Sequence, residues 1–310
     1  MLGSALRTIV AFLSILAATV GFLCIYIFVF YSSSPTNTVI NAQVQNIKPT
    51  QPLSRWILME GIVNDALKGT TGEYSVVIKN LNTNETYMLN ENQTYKTASL
   101  YKLWVMAATY KQIDDGVLMK NTLLADNIED LNSRFNIATD SAERSEGTVS
   151  MTIEEALVRM ITYSDNYSAL LLSSKVRLKN VSDFLKDKGL TQSQVGTTLP
   201  TTTALDMALF YEKLYKNELA STQSTEEMLS LLKRQQIKRK LPMHLPIDVI
   251  IAHKTGELDQ YTHDAGIVYT ALGNYIIVVL SESANPKGAE ERIADISKGV
   301  YSYFLNNSVN

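Results

Sequence analysis

The spacing of apolar residues divides the chain into three regions. Residues 8–31 are mostly Ile, Val, Leu, Phe and Ala and carry no charge. As a helix they would span about 36 Å, which is enough to cross a bilayer. Residues 32–53 are rich in Ser, Thr, Asn and Gln and contain three prolines, a composition typical of a flexible linker. Over residues 54–310, apolar residues recur at helical and strand spacings, which predicts one folded domain.

The folded region begins with a predicted helix and a predicted β-hairpin. Apolar residues three and four positions apart predict the helix over residues 54–68. A β-branched run over 74–79, turn residues at 82–84 and a second run over 86–89 predict the hairpin that follows it. The first strands of a sheet therefore come early in the domain.

Helices are predicted in the middle of the domain and further strands near its end. This order predicts an α+β fold, in which both chain ends form an antiparallel sheet and a helical region is inserted between them. We expect the active site where the two regions meet. The predicted helices cover residues 99–112, 152–163, 168–174, 181–188, 203–215, 224–233 and 289–304, and the predicted strands cover 248–253, 265–270 and 275–281.

The charge of the chain favours an orientation for the apolar segment. Arg7 is the only charged side chain before residue 8, and positive residues tend to stay on the cytoplasmic side. We therefore expect a cytoplasmic tip over residues 1–7, an uncleaved transmembrane anchor over 8–31, and an extracytoplasmic domain joined to the anchor by the linker at 32–53.

Composition excludes several other classes of protein. The formal net charge of -3 on 310 residues gives no basic field for nucleic acid. The only cysteine, Cys24, permits no intramolecular disulfide. The three histidines, His244, His253 and His263, do not have the spacing of metal ligands, so we predict neither a metal nor a cofactor.

Three short motifs carry the chemistry of this chain. Ser99 precedes Ser164 by 65 residues, and Ser164 precedes Lys254 by 90 residues. One serine-lysine pair alone means little, because Ser230 and Lys233 repeat the spacing of the first motif. The three motifs indicate a shared chemistry only as a set. They are Ser99-Leu100-Tyr101-Lys102, Ser164-Asp165-Asn166 and Lys254-Thr255-Gly256.

The first motif suits nucleophilic catalysis. A serine at the start of a helix has its own backbone N–H available as an oxyanion donor and lies in the positive field of the helix terminus. Lys102, three residues on, lies on the same face. If burial lowers the pKa of Lys102, its neutral amine can accept the proton of Ser99 during attack.

The other two motifs suit substrate binding and proton transfer. We expect Ser164 to pass a proton to the leaving nitrogen and Asn166 to hold both a substrate amide and Lys102, with Asp165 structural. Lys254 and Thr255 on an edge strand suit a substrate carboxylate, and Gly256 lets a ligand lie along that strand. We expect the backbone N–H of Glu257 to be the second oxyanion donor, with His253 and His263 structural near the site and Tyr101 either packed or in a pocket wall.

Together the motifs resemble those of class A β-lactamases and low-molecular-weight penicillin-binding proteins. The resemblance covers residues 54–303 and includes the hairpin before Ser99 and the helix start at residues 201–203. It implies an acyl-enzyme formed through Ser99 with β-lactams or D-alanyl-D-alanine wall peptides.

The chain departs from class A β-lactamases in two respects. Those enzymes carry a glutamate on an omega-shaped loop, which activates the water for deacylation. Residues 189–203 contain no acid, and Asp187 and Asp206 fall in predicted helices. An arginine that assists carboxylate binding is also not found near Asp264. We therefore expect acylation by penicillin and slow deacylation.

Several functions remain open from the sequence. The motifs suit β-lactam hydrolysis and cleavage or transfer at D-alanyl-D-alanine equally, and residues 202–208 resemble D-alanyl-D-alanine peptidases more closely. A sensor or binding module that stays acylated is the alternative from another class. A serine glutaminase shares the Ser-x-x-Lys arrangement, but the strand with Lys254, Thr255 and Gly256 argues against it.

Overall fold

The computed structural model describes residues 51–196 and 199–307. The predicted anchor at 8–31 and nearly all of the predicted linker lie outside these residues. Within the described part of the chain, no helix has the length and hydropathy needed to span a membrane.

The element order confirms the α+β prediction, with strands near both ends and helices between them. A 3-10 turn at Ala98–Tyr101, called the nucleophile turn below, precedes the second helix. The helices are α1 (Gln51–Leu67), α2 (Lys102–Asp114), α3 (Ile128–Arg134), α4 (Ile153–Thr162), α5 (Asn166–Val176), α6 (Leu178–Asp187), α7 (Ala204–Tyr215), α8 (Thr222–Lys233) and α9 (Pro286–Asn307). The strands are β1 (Glu73–Asn80), β2 (Thr86–Leu89), β3 (Tyr95–Lys96), β4 (Leu123–Asn127), β5 (Thr148–Thr152), β6 (Thr201–Thr202), β7 (Ile250–Leu258), β8 (Tyr261–Tyr269) and β9 (Tyr275–Glu282).

The main sheet joins the two ends of the domain. Its strand order is β2-β1-β9-β8-β7, and every neighbouring pair is antiparallel. The register places Val77 opposite Val278 and Lys254 opposite Ala265. Strand β7 is therefore an edge strand, as expected for the strand that carries Lys254.

The two faces of the sheet bury two different cores. Val76 and Ile78 pack with Met59 of α1 and Ile293 of α9 on one face. Val77, between them in sequence, belongs to the larger core formed with the inserted helices. This alternation follows from the two-residue period of a strand.

The structure differs from the sequence prediction in several elements. Strand β7 continues to Leu258, past the predicted end at residue 253, because its polar second half pairs fully with β8. The pair β4 and β5 was not predicted, because β4 contains no β-branched residue and β5 ends at Thr152, where a helix was predicted to begin. The helix Ile128–Arg134 between them was also missed.

Candidate active site

The candidate nucleophile lies in the nucleophile turn, which packs against β7 and β8. Ser99 is partly exposed, and the side chain of Leu100 is fully buried beneath the turn. Ala98 has φ +47°, a left-handed conformation that an alanine adopts only where its surroundings enforce it. The turn leads directly into α2, so Ser99 lies three residues before Lys102, the first residue of that helix.

Gly256 of β7 makes close packing against the nucleophile turn possible. A Cβ atom at this position would lie 2.8 Å from the carbonyl oxygen of Thr97 and 3.3 Å from the Cβ of Ala98. Both distances are shorter than ordinary van der Waals contacts. The contact that requires a glycine is therefore with the turn itself, whereas the sequence suggested space for a ligand.

Lys102 is fully buried at the start of α2. Its Nζ donates to the carbonyl oxygen of Ser164 at 2.5 Å, to the hydroxyl of Ser164 at 3.3 Å and to Oδ1 of Asn166 at 2.6 Å. Burial lowers the pKa of Lys102 to about 8, although the charges of Asp165 and Glu143 raise it. Roughly a tenth of the molecules therefore have a neutral Lys102 at pH 7.

The second motif forms the loop between α4 and α5. Ser164 has φ +61°, which turns its side chain and its carbonyl toward Lys102. Asp165 caps α5, because its Oδ1 accepts from the backbone N–H of Ser168 at 2.6 Å. This contact gives Asp165 a structural part in the site, as the sequence suggested.

Lys254 joins the sheet to this loop. Its Nζ donates to the hydroxyl of Ser164 at 2.9 Å and to the carbonyl of Thr255 at 2.9 Å, and its side chain is fully buried. Burial, followed by the charge of Lys102, lowers the pKa of Lys254 well below its ordinary value. Two lysines thus meet at one serine hydroxyl, and Ser164 lies between them in a hydrogen-bonded relay.

Basic residues that the sequence analysis missed surround the side chain of Glu257. Arg239 Nη2 lies 2.8 and 2.9 Å from the two carboxylate oxygens, and the fully buried Lys240 also donates to this carboxylate. Burial raises the pKa of Glu257, but the hydrogen bond and charge of Lys240 outweigh it and hold that pKa below its ordinary value. The sequence offers no arginine beside Asp264, whereas these two basic residues precede β7.

The two buried histidines lie beside the site. His263 Nε2 is 2.8 Å from the carbonyl of Lys96, and its Nδ1 accepts from the backbone N–H of Ser281 at 3.1 Å. Burial lowers the pKa of His263 to about 4, so the neutral ring links β8 to β3. His253 Nδ1 lies 2.9 Å from Oδ1 of the buried Asp264. Both contacts are those of packing residues.

A cleft of about 290 Å³ opens over Ser99. Two acids line it, Glu143 and Glu257. Leu199 and Pro200 line it from the segment after α6, and this segment supplies no acid to the cleft. Asp206 instead accepts from the backbone N–H of Gln192 at 2.8 Å. The other lining residues are Lys96, Thr97, Ala98, Tyr101, Ile137, Ser141, Asn166, Tyr167, Leu170 and Leu258.

Comparison with known proteins places these features in a family. A model of the "Beta-lactamase enzyme family" matches residues 59–304. Beta-lactamase VEB-1 of Pseudomonas aeruginosa is 25% identical over 269 residues, covering 79% of this chain and 89% of that protein. A beta-lactamase of Phocaeicola vulgatus is 23% identical over 335 positions, covering 95% of this chain and 97% of that protein.

Solved structures share the fold. The beta-lactamase of Sphaerobacter thermophilus superposes with a TM-score of 0.71 at 23% identity, covering 81% of this chain and 98% of that one. PBP-A superposes with a TM-score of 0.70 at 23% identity, covering 80% and 96%. A mutant of PBP-A is known as an acyl-enzyme complex with penicillin G.

Proposed function

Since this chain belongs to the beta-lactamase enzyme family, we propose that it is a serine hydrolase that opens β-lactams through an acyl-enzyme on Ser99. The observation that carries the proposal is the relay in which Lys102 and Lys254 both donate to the hydroxyl of Ser164, with Ser99 one turn before Lys102 and open to the cleft. The same site suits the D-alanyl-D-alanine end of a wall peptide, which offers a similar amide and carboxylate.

Acylation follows from the positions of these groups. Ser99 Oγ attacks the lactam carbonyl carbon as its proton passes to the neutral amine of Lys102. The backbone N–H groups of Ser99 and Glu257 would hold the oxyanion. The C–N bond then breaks, the departing nitrogen takes the proton of the Ser164 hydroxyl, and Lys102 returns a proton to Ser164. The product is an ester on Ser99 and a neutral amine.

Hydrolysis of that ester requires a water and a base. The water adds a hydroxyl to the acyl carbon and returns one proton to Ser99. Leu199 and Pro200 occupy the side of the cleft formed by the segment after α6, and residues 189–203 contain no acid. This supports slow deacylation, with Lys102 as the base available to the water.

The slow step favours a second candidate, a sensor or binding module that captures a β-lactam and stays acylated. The two functions differ in the lifetime of the adduct. We would mix the purified chain with excess benzylpenicillin and follow both the intact mass of the protein and the concentration of the drug. Hydrolysis predicts a transient adduct and continuing loss of drug. A sensor predicts one equivalent consumed and an adduct that persists.

We also propose that residues 8–31 anchor the protein in the membrane, with the catalytic domain extracytoplasmic. The uncharged apolar run of these residues supports this. The full-length chain is expected to fractionate with membranes, and protease added outside the cell is expected to digest the catalytic domain. Recovery of the full-length chain in the soluble fraction would contradict the anchor, without affecting the proposed activity.

A further inference from the structure

Glu143 lies at the cleft on a segment that is firmly attached to α5. The hydroxyl of the buried Tyr167 donates to the carbonyl of Arg144 at 2.7 Å and accepts from its backbone N–H at 3.1 Å. The amide of Asn132 donates to the same carbonyl at 2.8 Å. These contacts fix the residue next to Glu143, so the carboxylate is held at the cleft by ordered backbone.

The side chain of Glu143 contacts a residue of the second motif. Its Oε1 accepts from Nδ2 of Asn166 at 2.5 Å, while Oδ1 of Asn166 accepts from Lys102 at 2.6 Å. Glu143 and Lys102 together therefore set which way the Asn166 amide points. An amide nitrogen has two N–H groups, so one remains for a carbonyl of the substrate.

The two acids at the cleft differ in their charge balance. Glu257 is paired with Arg239 and Lys240. Among the described residues, no cation lies within salt-bridge distance of Glu143, whose contact is the neutral amide of Asn166. The cleft cation Lys96 lies over the ring of Tyr261, 5.3 Å from its centroid. The charge of Glu143 also acts on the buried Lys102 behind Asn166, but no salt bridge joins the two. Glu143 therefore presents a negative charge to the cleft beside the amide-binding group.

From this arrangement we propose that Glu143 determines specificity by binding a protonated amine on the carbon next to the substrate carbonyl held by Asn166. The inference rests on the proposed function. A carbonyl oxygen bound to Nδ2 of Asn166 lies about 3 Å from that nitrogen, on the group that Glu143 also contacts. An ammonium one carbon beyond that carbonyl therefore comes within reach of the Glu143 carboxylate, and acyl donors that carry it are preferred.

Ampicillin and benzylpenicillin test this preference, because they differ only in such an amine. We would measure the second-order rate constant of acylation of the full-length chain by each drug at low ionic strength. In Glu143→Gln the amide oxygen still accepts from Asn166, but the charge is gone. We expect the ratio of the ampicillin to the benzylpenicillin constant to fall about three- to fivefold, the effect of one exposed ion pair. Added salt should lower the ratio for the unaltered chain only.

Glu146→Gln is the matched control, since Glu146 is an exposed acid close by in the same loop and does not line the cleft. We expect its ratio to equal that of the unaltered chain. An unchanged ratio in Glu143→Gln, with both drugs still acylating the protein, would overturn the role of Glu143 alone. If neither drug acylates the unaltered chain, the proposed function fails and this inference fails with it.

Discussion

In the proposed mechanism, Ser99 loses its proton to one buried amine. Lys102 is fully buried, and burial lowers its pKa to about 8, so its neutral, proton-accepting form increases as the pH rises toward that value. Protonation below the pKa removes the base. The pKa of Lys254 is also lowered by burial and by the charge of Lys102, but the Lys254 amine contacts the hydroxyl of Ser164 and the carbonyl of Thr255. Lys102, one turn after Ser99, is therefore the acceptor that we assign to the proton of Ser99.

The rate of acylation should therefore follow the titration of Lys102. We expect the rate constant for benzylpenicillin to rise about tenfold per pH unit between pH 6 and 7 and to level off above the pKa. The measurement is the rate of adduct formation from pH 5.5 to 9.5. Lys111→Ala, which alters an exposed lysine on the same helix, should keep this profile. A rate independent of pH below 8 would contradict the role of Lys102.

At the scale of elements, the contact between β7 and the nucleophile turn is the most sensitive. Gly256→Ala would place a Cβ 2.8 Å from the carbonyl of Thr97, so either the strand or the turn must move. We expect a loss of about 1–3 kcal/mol in the free energy of unfolding and at least a tenfold slower acylation. Urea unfolding and adduct formation measure the two effects.

Gly61→Ala is the control for that substitution. Gly61 lies in α1, and a Cβ there would have no atom within 4 Å, so alanine should stabilise the helix by about 1 kcal/mol. Acylation should not change. If Gly256→Ala were as stable and as reactive as Gly61→Ala, the close packing of β7 on the turn would be refuted.

The loop that carries Glu143 depends on the hydroxyl of Tyr167. In Tyr167→Phe the carbonyl of Arg144 loses the hydroxyl donor and the backbone N–H of Arg144 loses its acceptor, which should cost about 1–2 kcal/mol of stability. Tyr163→Phe is the control, because Tyr163 is 64% exposed. This substitution should leave the free energy of unfolding nearly unchanged. Chemical denaturation measures the free energy of unfolding of both variants. Equal values would show that the hydroxyl of Tyr167 does not stabilise the loop.

Elements were predictable where their residues repeat a clear local pattern. The helix predicted over residues 152–163 corresponds to α4, whose start carries a capping box of Thr152 and Glu155 with both hydrogen bonds present. Strands β4 and β5 were missed because their identity depends on pairing with each other. Lys254 and Thr255 were expected on an edge strand, but the end of β7 was predicted at residue 253. Its polar second half shows no apolar alternation, and only its pairing with β8 extends the strand to Leu258.

For the whole molecule, the order of elements was enough to predict the sheet from both chain ends and the inserted helices. The sequence also placed Ser99, Lys102, Ser164 and Lys254 in one site, and the structure brings them together. It could not identify residues whose roles come from tertiary contacts alone. Glu143, Arg239 and Lys240 belong to no motif, and only the folded chain places them at Asn166 or Glu257.

The role of Ser99 as nucleophile is tested by finding which serine carries the penicillin. We would treat the full-length chain with benzylpenicillin, measure its intact mass, and map the modified peptide. The matched variants are Ser99→Ala and Ser230→Ala, because Ser230 and Lys233 share the spacing of Ser99 and Lys102.

We expect one adduct, located on Ser99, absent from Ser99→Ala and unchanged in Ser230→Ala. An adduct that persists in Ser99→Ala, or no adduct and no loss of drug with the unaltered chain, would contradict it.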